Sequence, residues 1–271
     1  MKRQQKFAGT WYPSDKNQLE RLIEVAPVCD NKDLFGVVPH AGLYYSGELI
    51  KQLFSTLSSS INKILLITPS HYFSLPNDKI GSGNIDSFEC LIHDIPGFSL
   101  PIFETGYEEV TKAEHAVEMI IPFIAQRKNL SLCCAHVNHF TDVDIANMYA
   151  KKILSVIDDR TAVIASSDFT HYGKSFDYIP YGPTINKEVE SLITEHDKTI
   201  AKQFAEGNGE IAYKKSMKDK STICGIAPML VVSQMAKIKN MKGRLIGQSN
   251  SLNGKYKVES FVSYISIAWR I

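Results

Sequence analysis

The 271-residue sequence lacks the patterns that assign a protein to a class at first sight. None of its five cysteines forms a CxxC pair, so a zinc ribbon is not expected. No apolar run approaches the ~18 residues typical of a membrane-spanning helix. The basic N-terminus carries no apolar stretch, and we therefore expect no secretory signal. An odd number of cysteines without framework spacing is typical of a reducing compartment, which predicts a cytoplasmic protein.

Charge bias and low-complexity segments are missing as well. The 30 basic and 29 acidic residues balance, so nothing indicates a nucleic-acid or membrane-surface partner. No linker-like segment or internal repeat divides the chain. The hydrophobic fraction of 44% is ordinary for a globular protein with a sizeable core. The simplest organisation is a single domain that covers residues 1–271.

The sequence does contain short apolar runs that end in turn residues and a histidine. In KILLITPSHYF (63–73), the run Ile64–Ile67 precedes Pro69 and His71. An unbroken apolar run bounded by turn residues is typical of a strand buried on both faces, and the proline predicts its end. The same pattern leads to His40, to His136 and His139, and to His171. We expect parallel neighbouring strands whose carboxyl ends form one edge, where open α/β sheets bind ligands.

Segments of helical periodicity alternate with these runs and predict an α/β fold with a mainly parallel or mixed central sheet flanked by helices. A helix is expected from Ser14 or Asp15 to about Val25, and another starts near His115 with a kink at Pro122. Residues 78–101, richer in glycine and proline, predict a β-hairpin at the rim of the sheet. The C-terminal segment alternates as a strand does.

Four residues are predicted to converge at the sheet edge: His40, His71, His171 and Cys224. The histidines follow strands, whereas Cys224 precedes a predicted helix that starts near residue 226 and whose dipole favours the thiolate. Imidazole and thiolate are the usual ligands of zinc, copper and iron. Each residue taken alone is equally compatible with a hydrogen-bonded histidine or a small buried thiol.

A second group is the EHAVE segment, in which Glu114, His115 and Glu118 share one side of a helix. A carboxylate that orients an imidazole indicates a general base or a residue that supports a metal ligand. The alternative is that the acidic residues only stabilise the start of the helix through its dipole. Asp168 can orient His171 in the same way. Aromatic residues that can wall an apolar pocket, or pack in the core, are Trp11, Tyr12, Tyr44, Tyr45, Tyr72 and Tyr172.

Six motifs in this order resemble those of the Memo family, called AmmeMemoRadiSam system protein B in bacteria and archaea. They are AGTWYP (8–13), VVPHAGLYYSG (37–47), ITPSHY (67–72), EHAVEMIIPF (114–123), SSDFTHYG (166–173) and STICG (221–225). The resemblance extends over nearly the whole chain. It implies a single α/β domain similar to the class III extradiol dioxygenases, which are non-haem iron enzymes that open catechol rings.

The resemblance also implies roles for particular residues. His40, His71 and Cys224 match the metal-binding positions of the family, and His171 matches a dioxygenase acid/base. Asp168 and His115 match residues that line the same pocket, which we expect Glu118, Tyr44, Tyr72 and Trp11 to complete. Because a thiol stands where the dioxygenases use a carboxylate, the resemblance argues against ring opening. A soft thiolate favours copper or iron, with zinc as a further possibility.

Three functions follow as hypotheses. The first is a metal-dependent oxidoreductase that acts on an unknown small substrate. The second is a non-catalytic module, on a vestigial dioxygenase fold, that binds a peptide, a phosphopeptide or another small ligand. The third is a zinc-dependent hydrolase. The name of the family further implies a radical-SAM protein and an AMMECR-type protein as partners.

Overall fold

A computed structural model describes residues 1–24 and 33–270. Its helices are α1 (Lys16–Ile23), α2 (Leu43–Thr56), α3 (Glu108–Ala113), α4 (His115–Glu118), α5 (Ile121–Ile124), α6 (Val143–Val156), α7 (Lys187–Ala205), α8 (Gly209–Lys218) and α9 (Ile226–Ile238). Its strands are β1 (Lys2–Arg3), β2 (Asp33–Val38), β3 (Lys63–Thr68), β4 (Gly81–Ser82), β5 (Ser87–Phe88), β6 (Ile95–Pro96), β7 (Ser131–His136), β8 (Thr161–Ser166), β9 (His171–Gly173), β10 (Lys242–Asn250) and β11 (Ser260–Arg270).

The main sheet has four parallel strands at its centre, in the order β2, β8, β3, β7. Strand β11 adds antiparallel to β2, β10 adds antiparallel to β11, and β4 adds antiparallel to β7 at the other edge. The predicted α/β fold with a mixed sheet is therefore confirmed. The four central strands run in one direction, so their carboxyl ends share one edge.

Helices cover both faces of the sheet, which is why the central strands read as unbroken apolar runs. Leu65 and Ile67 point into a cluster that contains residues of α6 and α9. Ile64 and Leu66 point the other way, into a cluster that contains residues of α1, α2 and α5. All four side chains are fully buried. Truncating one of them to alanine is expected to cost about 2–5 kcal/mol of unfolding free energy.

The helix expected near His115 is instead two single turns, α4 and α5, separated at Met119 and Ile120. The prediction of one helix kinked at Pro122 was wrong. The proline lies in the first turn of α5, where a residue without an N–H is tolerated because that donor has no partner inside the helix. Before α4, the extended backbone of Glu114 ends α3, so that His115 is the first residue of a new helical turn.

Other predictions concern the ends of elements. Asp15 caps α1 by accepting a hydrogen bond from the backbone of Gln18, and the expected end near Val25 lies outside the described residues. The hairpin predicted within residues 78–101 is β5 with β6, which joins β1 in a small separate sheet. Within the described part of the chain, no helix is both long and apolar enough to cross a membrane.

Candidate metal-binding site

Three histidines meet at the carboxyl edge of the sheet. His40 follows β2, His71 follows β3, and His115 begins α4. Each offers one ring nitrogen, and these nitrogens lie within 4.8 Å of one another. His40 and His115 are buried, whereas the side chain of His71 is 26% exposed. The group therefore has a buried base and a side that opens to solvent.

Glu114, the N-cap of α4, orients His71. Its Oε1 lies 2.8 Å from Nδ1 of His71, and its Oε2 accepts a hydrogen bond of 2.7 Å from the backbone N–H of the same residue. Because a carboxylate only accepts, we assign the ring proton to Nδ1 and a free lone pair to Nε2. Burial raises the pKa of Glu114, but its hydrogen bond with His71 and the charges of His71 and His115 outweigh burial and leave the pKa below its usual value.

His115 has a different environment. Its Nδ1 is buried and has no hydrogen-bond partner, although Oε1 of Glu114 is 3.2 Å away. Its ring packs against Trp11, with 4.7 Å between the centroids. Burial, and then the charge of His71, lower the pKa of His115 to about 4. A buried nitrogen without a partner costs about 1–3 kcal/mol, so a neutral imidazole of this kind fits a metal ligand well.

His40 lies between two other groups. Its Nδ1 is 2.8 Å from the hydroxyl of Ser166, and its Nε2 is 3.2 Å from Sγ of Cys224. Burial holds the pKa of His40 well below its usual range, and the neighbouring histidines lower it further. The imidazole is therefore neutral at neutral pH, as metal binding requires.

Cys224 lies beside the three histidines and is not a member of the group within 4.8 Å. Its Sγ is 3.2 Å from His40 and 3.6 Å from the backbone oxygen of Asp168. The expectation that the start of α9 favours a thiolate is opposed by burial. Burial, and then the charge of Asp168, raise the pKa of Cys224 well above its usual value. The thiol therefore lies directly next to Nε2 of His40.

His171 begins β9 and is oriented by Thr222, a residue that was not predicted to belong to the site. Its Nδ1 lies 2.9 Å from the backbone oxygen of Thr222, and its backbone N–H donates to the Thr222 hydroxyl at 3.0 Å. A carbonyl only accepts, so Nδ1 carries the proton and Nε2 is free to accept another. The carboxylate of Asp168, expected to orient this ring, instead accepts from the backbone N–H of His40 at 2.8 Å. Burial raises the pKa of Asp168.

A cavity of about 620 Å³ opens above these residues. The side chains of the site that line it are His40, His71, His115, Asp168 and His171. Its aromatic walls come from Trp11, Tyr44, Tyr45, Phe176, Phe261 and Tyr264. The last three were missed, because they belong to segments far along the chain. The described part of the lining carries no lysine or arginine.

Tyr72 and Glu118, both expected in the pocket, lie outside the lining of the cavity. The ring of Tyr72 packs against His115 at 5.6 Å between centroids and is largely exposed. Glu118 is fully buried and holds the N-terminal segment. It accepts hydrogen bonds from the side chains of Arg3 (2.7 Å) and Tyr12 (2.8 Å) and from the backbone of Phe7 (2.8 Å). The carboxylate thus fixes the chain that carries Trp11 against His115.

The fold and the cavity define a class of protein: an α/β domain with a mixed sheet and a histidine group that can hold a metal ion at the carboxyl edge of its parallel strands. The sequence profile of the Memo-like protein family matches residues 3–82 and 93–268. The chain therefore belongs to the Memo family. The internal segment that the profile leaves unmatched, residues 83–92, contains β5.

Relatives from several different organisms match over 80–98% of their own lengths. A MEMO1 family protein of Thermoplasma volcanium is 28% identical, and one of Methanosarcina mazei is 26% identical; in both cases 98% of each chain is covered. The memo-1 homolog of Caenorhabditis elegans is 26% identical over 96% of this chain and 80% of its own.

Proposed function

We propose that the protein binds a transition metal at His40, His71 and His115 and uses it for redox chemistry on a small substrate. The observation that carries the proposal is the convergence of three imidazoles below a cavity, with the buried Nδ1 of His115 lacking a hydrogen bond. Copper or iron fits best, because the soft sulfur of Cys224 lies beside His40. Such an ion supplies electron transfer to or from a substrate bound next to it.

The surrounding residues prepare the cavity for a substrate. His171 presents a free Nε2 that accepts a proton, since Thr222 holds the proton on Nδ1. Asp168 fixes the backbone of His40 and thereby the position of its ring. Trp11 and Tyr44 form apolar walls that limit the access of water. The same proposal has three further parts. The fold is similar to that of the extradiol dioxygenases, the ligand is a small molecule, and the protein acts in the cytoplasm.

A zinc-dependent hydrolase is the second candidate. Three imidazoles are a common ligand set of catalytic zinc, and the group within 4.8 Å contains no sulfur. A phosphopeptide-binding module has weaker support. The described cavity lining offers no lysine or arginine to pair with a phosphate.

Metal analysis of protein purified without chelators tests the proposal. We expect about one equivalent of metal in the wild-type protein and its loss in His40→Ala and His115→Ala. Protein reconstituted with copper, iron or zinc would then be assayed for oxygen uptake with ascorbate and for hydrolysis of 4-nitrophenyl acetate. Oxygen uptake with copper or iron supports redox chemistry, whereas hydrolysis restricted to the zinc form favours the second candidate. Absence of any stoichiometric metal would overturn both.

Partners are a separate part of the proposal. The name AmmeMemoRadiSam system protein B implies a radical-SAM protein and an AMMECR-type protein, and no surface formed by the described residues identifies either. Co-purification of the three proteins after joint expression, at stoichiometric ratio and at moderate salt, is the result expected. Elution of this chain alone would remove the partners from the proposal.

A further inference from the structure

Glu114 is a carboxylate that lies within 3.2 Å of the ring nitrogens of two members of the histidine group. Its side chain is 1% exposed. Oε2 accepts the backbone N–H of His71, and Oε1 lies 2.8 Å from Nδ1 of His71, 3.1 Å from the backbone nitrogen of Ala116 and 3.2 Å from Nδ1 of His115. One oxygen atom therefore lies within 3.2 Å of two rings and of the start of α4.

We propose that Glu114 is a positioning residue that couples His71 to His115, so that the two rings are held in one arrangement for a metal ion. This inference rests on the proposed function. The carboxylate fixes the Nδ1–H form of His71 and adds a negative charge next to the group, which favours a bound cation. It also caps the helix turn from which His115 projects, so that the orientation of one ring depends on the position of the other.

A comparison inside the same short helix supports a specific role. Glu118 lies one turn after Glu114 and is equally buried. Its contacts are Arg3, Tyr12 and backbone groups of the N-terminal segment, and none of its described hydrogen bonds goes to a histidine ring. Burial of a carboxylate alone therefore needs no histidine partner in this part of the fold. Glu114 therefore contacts the histidines because of where it lies, and not because every buried carboxylate in this segment requires a histidine partner.

The test measures the affinity for Zn²⁺, a redox-inert probe, by competition with a chromophoric chelator. We expect Glu114→Ala to bind Zn²⁺ about 10–100-fold more weakly than the wild-type protein. Glu114→Gln is expected to be intermediate, because its amide oxygen can still accept one of the hydrogen bonds. The matched control is Asp33→Asn. It removes another buried carboxylate, paired with Arg244 at the opposite end of β2, and should change the affinity by less than about threefold while it also lowers stability.

A second readout uses the protein without added metal. Imidazole nitrogen NMR is expected to give a single Nδ1–H form of His71 in the wild-type protein and a mixture of tautomers in Glu114→Ala. An affinity within threefold of wild type in Glu114→Ala, together with an unchanged tautomer, would overturn the role of Glu114 and leave the metal site in place. Failure of the wild-type protein to bind Zn²⁺, copper or iron would overturn the proposed function as well.

Discussion

The two sides of the cavity orient their histidines by different means. On one side, which we call the glutamate side, the carboxylate of Glu114 holds His71 and lies next to His115. On the other, the carbonyl side, the backbone oxygen of Thr222 holds His171. Both acceptors select the Nδ1–H tautomer, but only the carboxylate brings a negative charge. The glutamate side is thus suited to hold a cation, and the carbonyl side presents Nε2 of His171 to the cavity without adding a charge.

The largest expected effect separates the two sides directly. His71→Ala should lose stoichiometric metal, because it removes a ring nitrogen from the group of three and leaves Glu114 without its partner. His171→Ala should keep metal affinity within about threefold, because its ring is held by Thr222 outside that group. Metal content after gel filtration, with circular dichroism as the control for folding, measures the difference. Equal metal loss in both variants would contradict the distinction.

The next largest effect concerns the anchor behind the glutamate side. Arg3→Met leaves the buried carboxylate of Glu118 without its ionic partner, which is expected to lower the unfolding free energy by about 3–5 kcal/mol. The loss should also free the segment that carries Trp11. Lys2→Met is the control: its ion pairs with Glu89 and Asp94 are solvent-exposed, and their loss should cost less than about 1 kcal/mol. Urea unfolding of both variants provides the measurement, and equal midpoints would show that Arg3 does not anchor the segment.

The sequence predicts much of the fold and two of the three histidines of the group, His40 and His71. The strand runs and the histidines that follow β2 and β3 are local signals, because burial on both faces demands an apolar run and parallel strands share an edge. The place of His115 in the histidine group is not local. It depends on Glu114, whose extended backbone ends α3 and starts α4, and on the tertiary packing that brings the first residue of α4 next to His40 and His71.

The orienting groups are harder still to predict. Glu114 lies 43 positions from His71, and Thr222 lies 51 positions from His171. The acceptor in the second pair is a backbone oxygen, which every residue possesses, so no residue type marks it. Asp168 was a reasonable alternative for orienting His171 because it is close in sequence, yet its carboxylate faces the backbone of His40. Side-chain chemistry can be read from a motif, whereas the partner of a ring nitrogen is set by tertiary packing.

A smaller effect tests the sulfur of Cys224, which lies beside His40. Cys224→Ser replaces a soft donor by a hard one at 3.2 Å from Nε2 of His40. If the thiol joins a bound metal, affinity for Cu⁺ should fall about tenfold while affinity for Zn²⁺, supported by the three imidazoles, changes less. Competition titrations with a Cu⁺ chelator and a Zn²⁺ chelator measure the two constants. Identical changes for both ions would remove Cys224 from the ligand set.

The smallest effect probes the carbonyl side. Thr222→Val removes a hydroxyl that accepts from the backbone N–H of His171 and donates to its backbone oxygen, but it keeps the backbone oxygen that holds Nδ1. We expect a loss of about 1 kcal/mol in unfolding free energy, unchanged Zn²⁺ affinity and an unchanged tautomer of His171. Thermal unfolding, the chelator titration and imidazole NMR measure these quantities. A switch of the tautomer would mean that the hydroxyl, and not the carbonyl, fixes the ring. In that case both sides of the cavity would orient their histidines through side chains, and the contrast between a carboxylate and a backbone oxygen would be wrong.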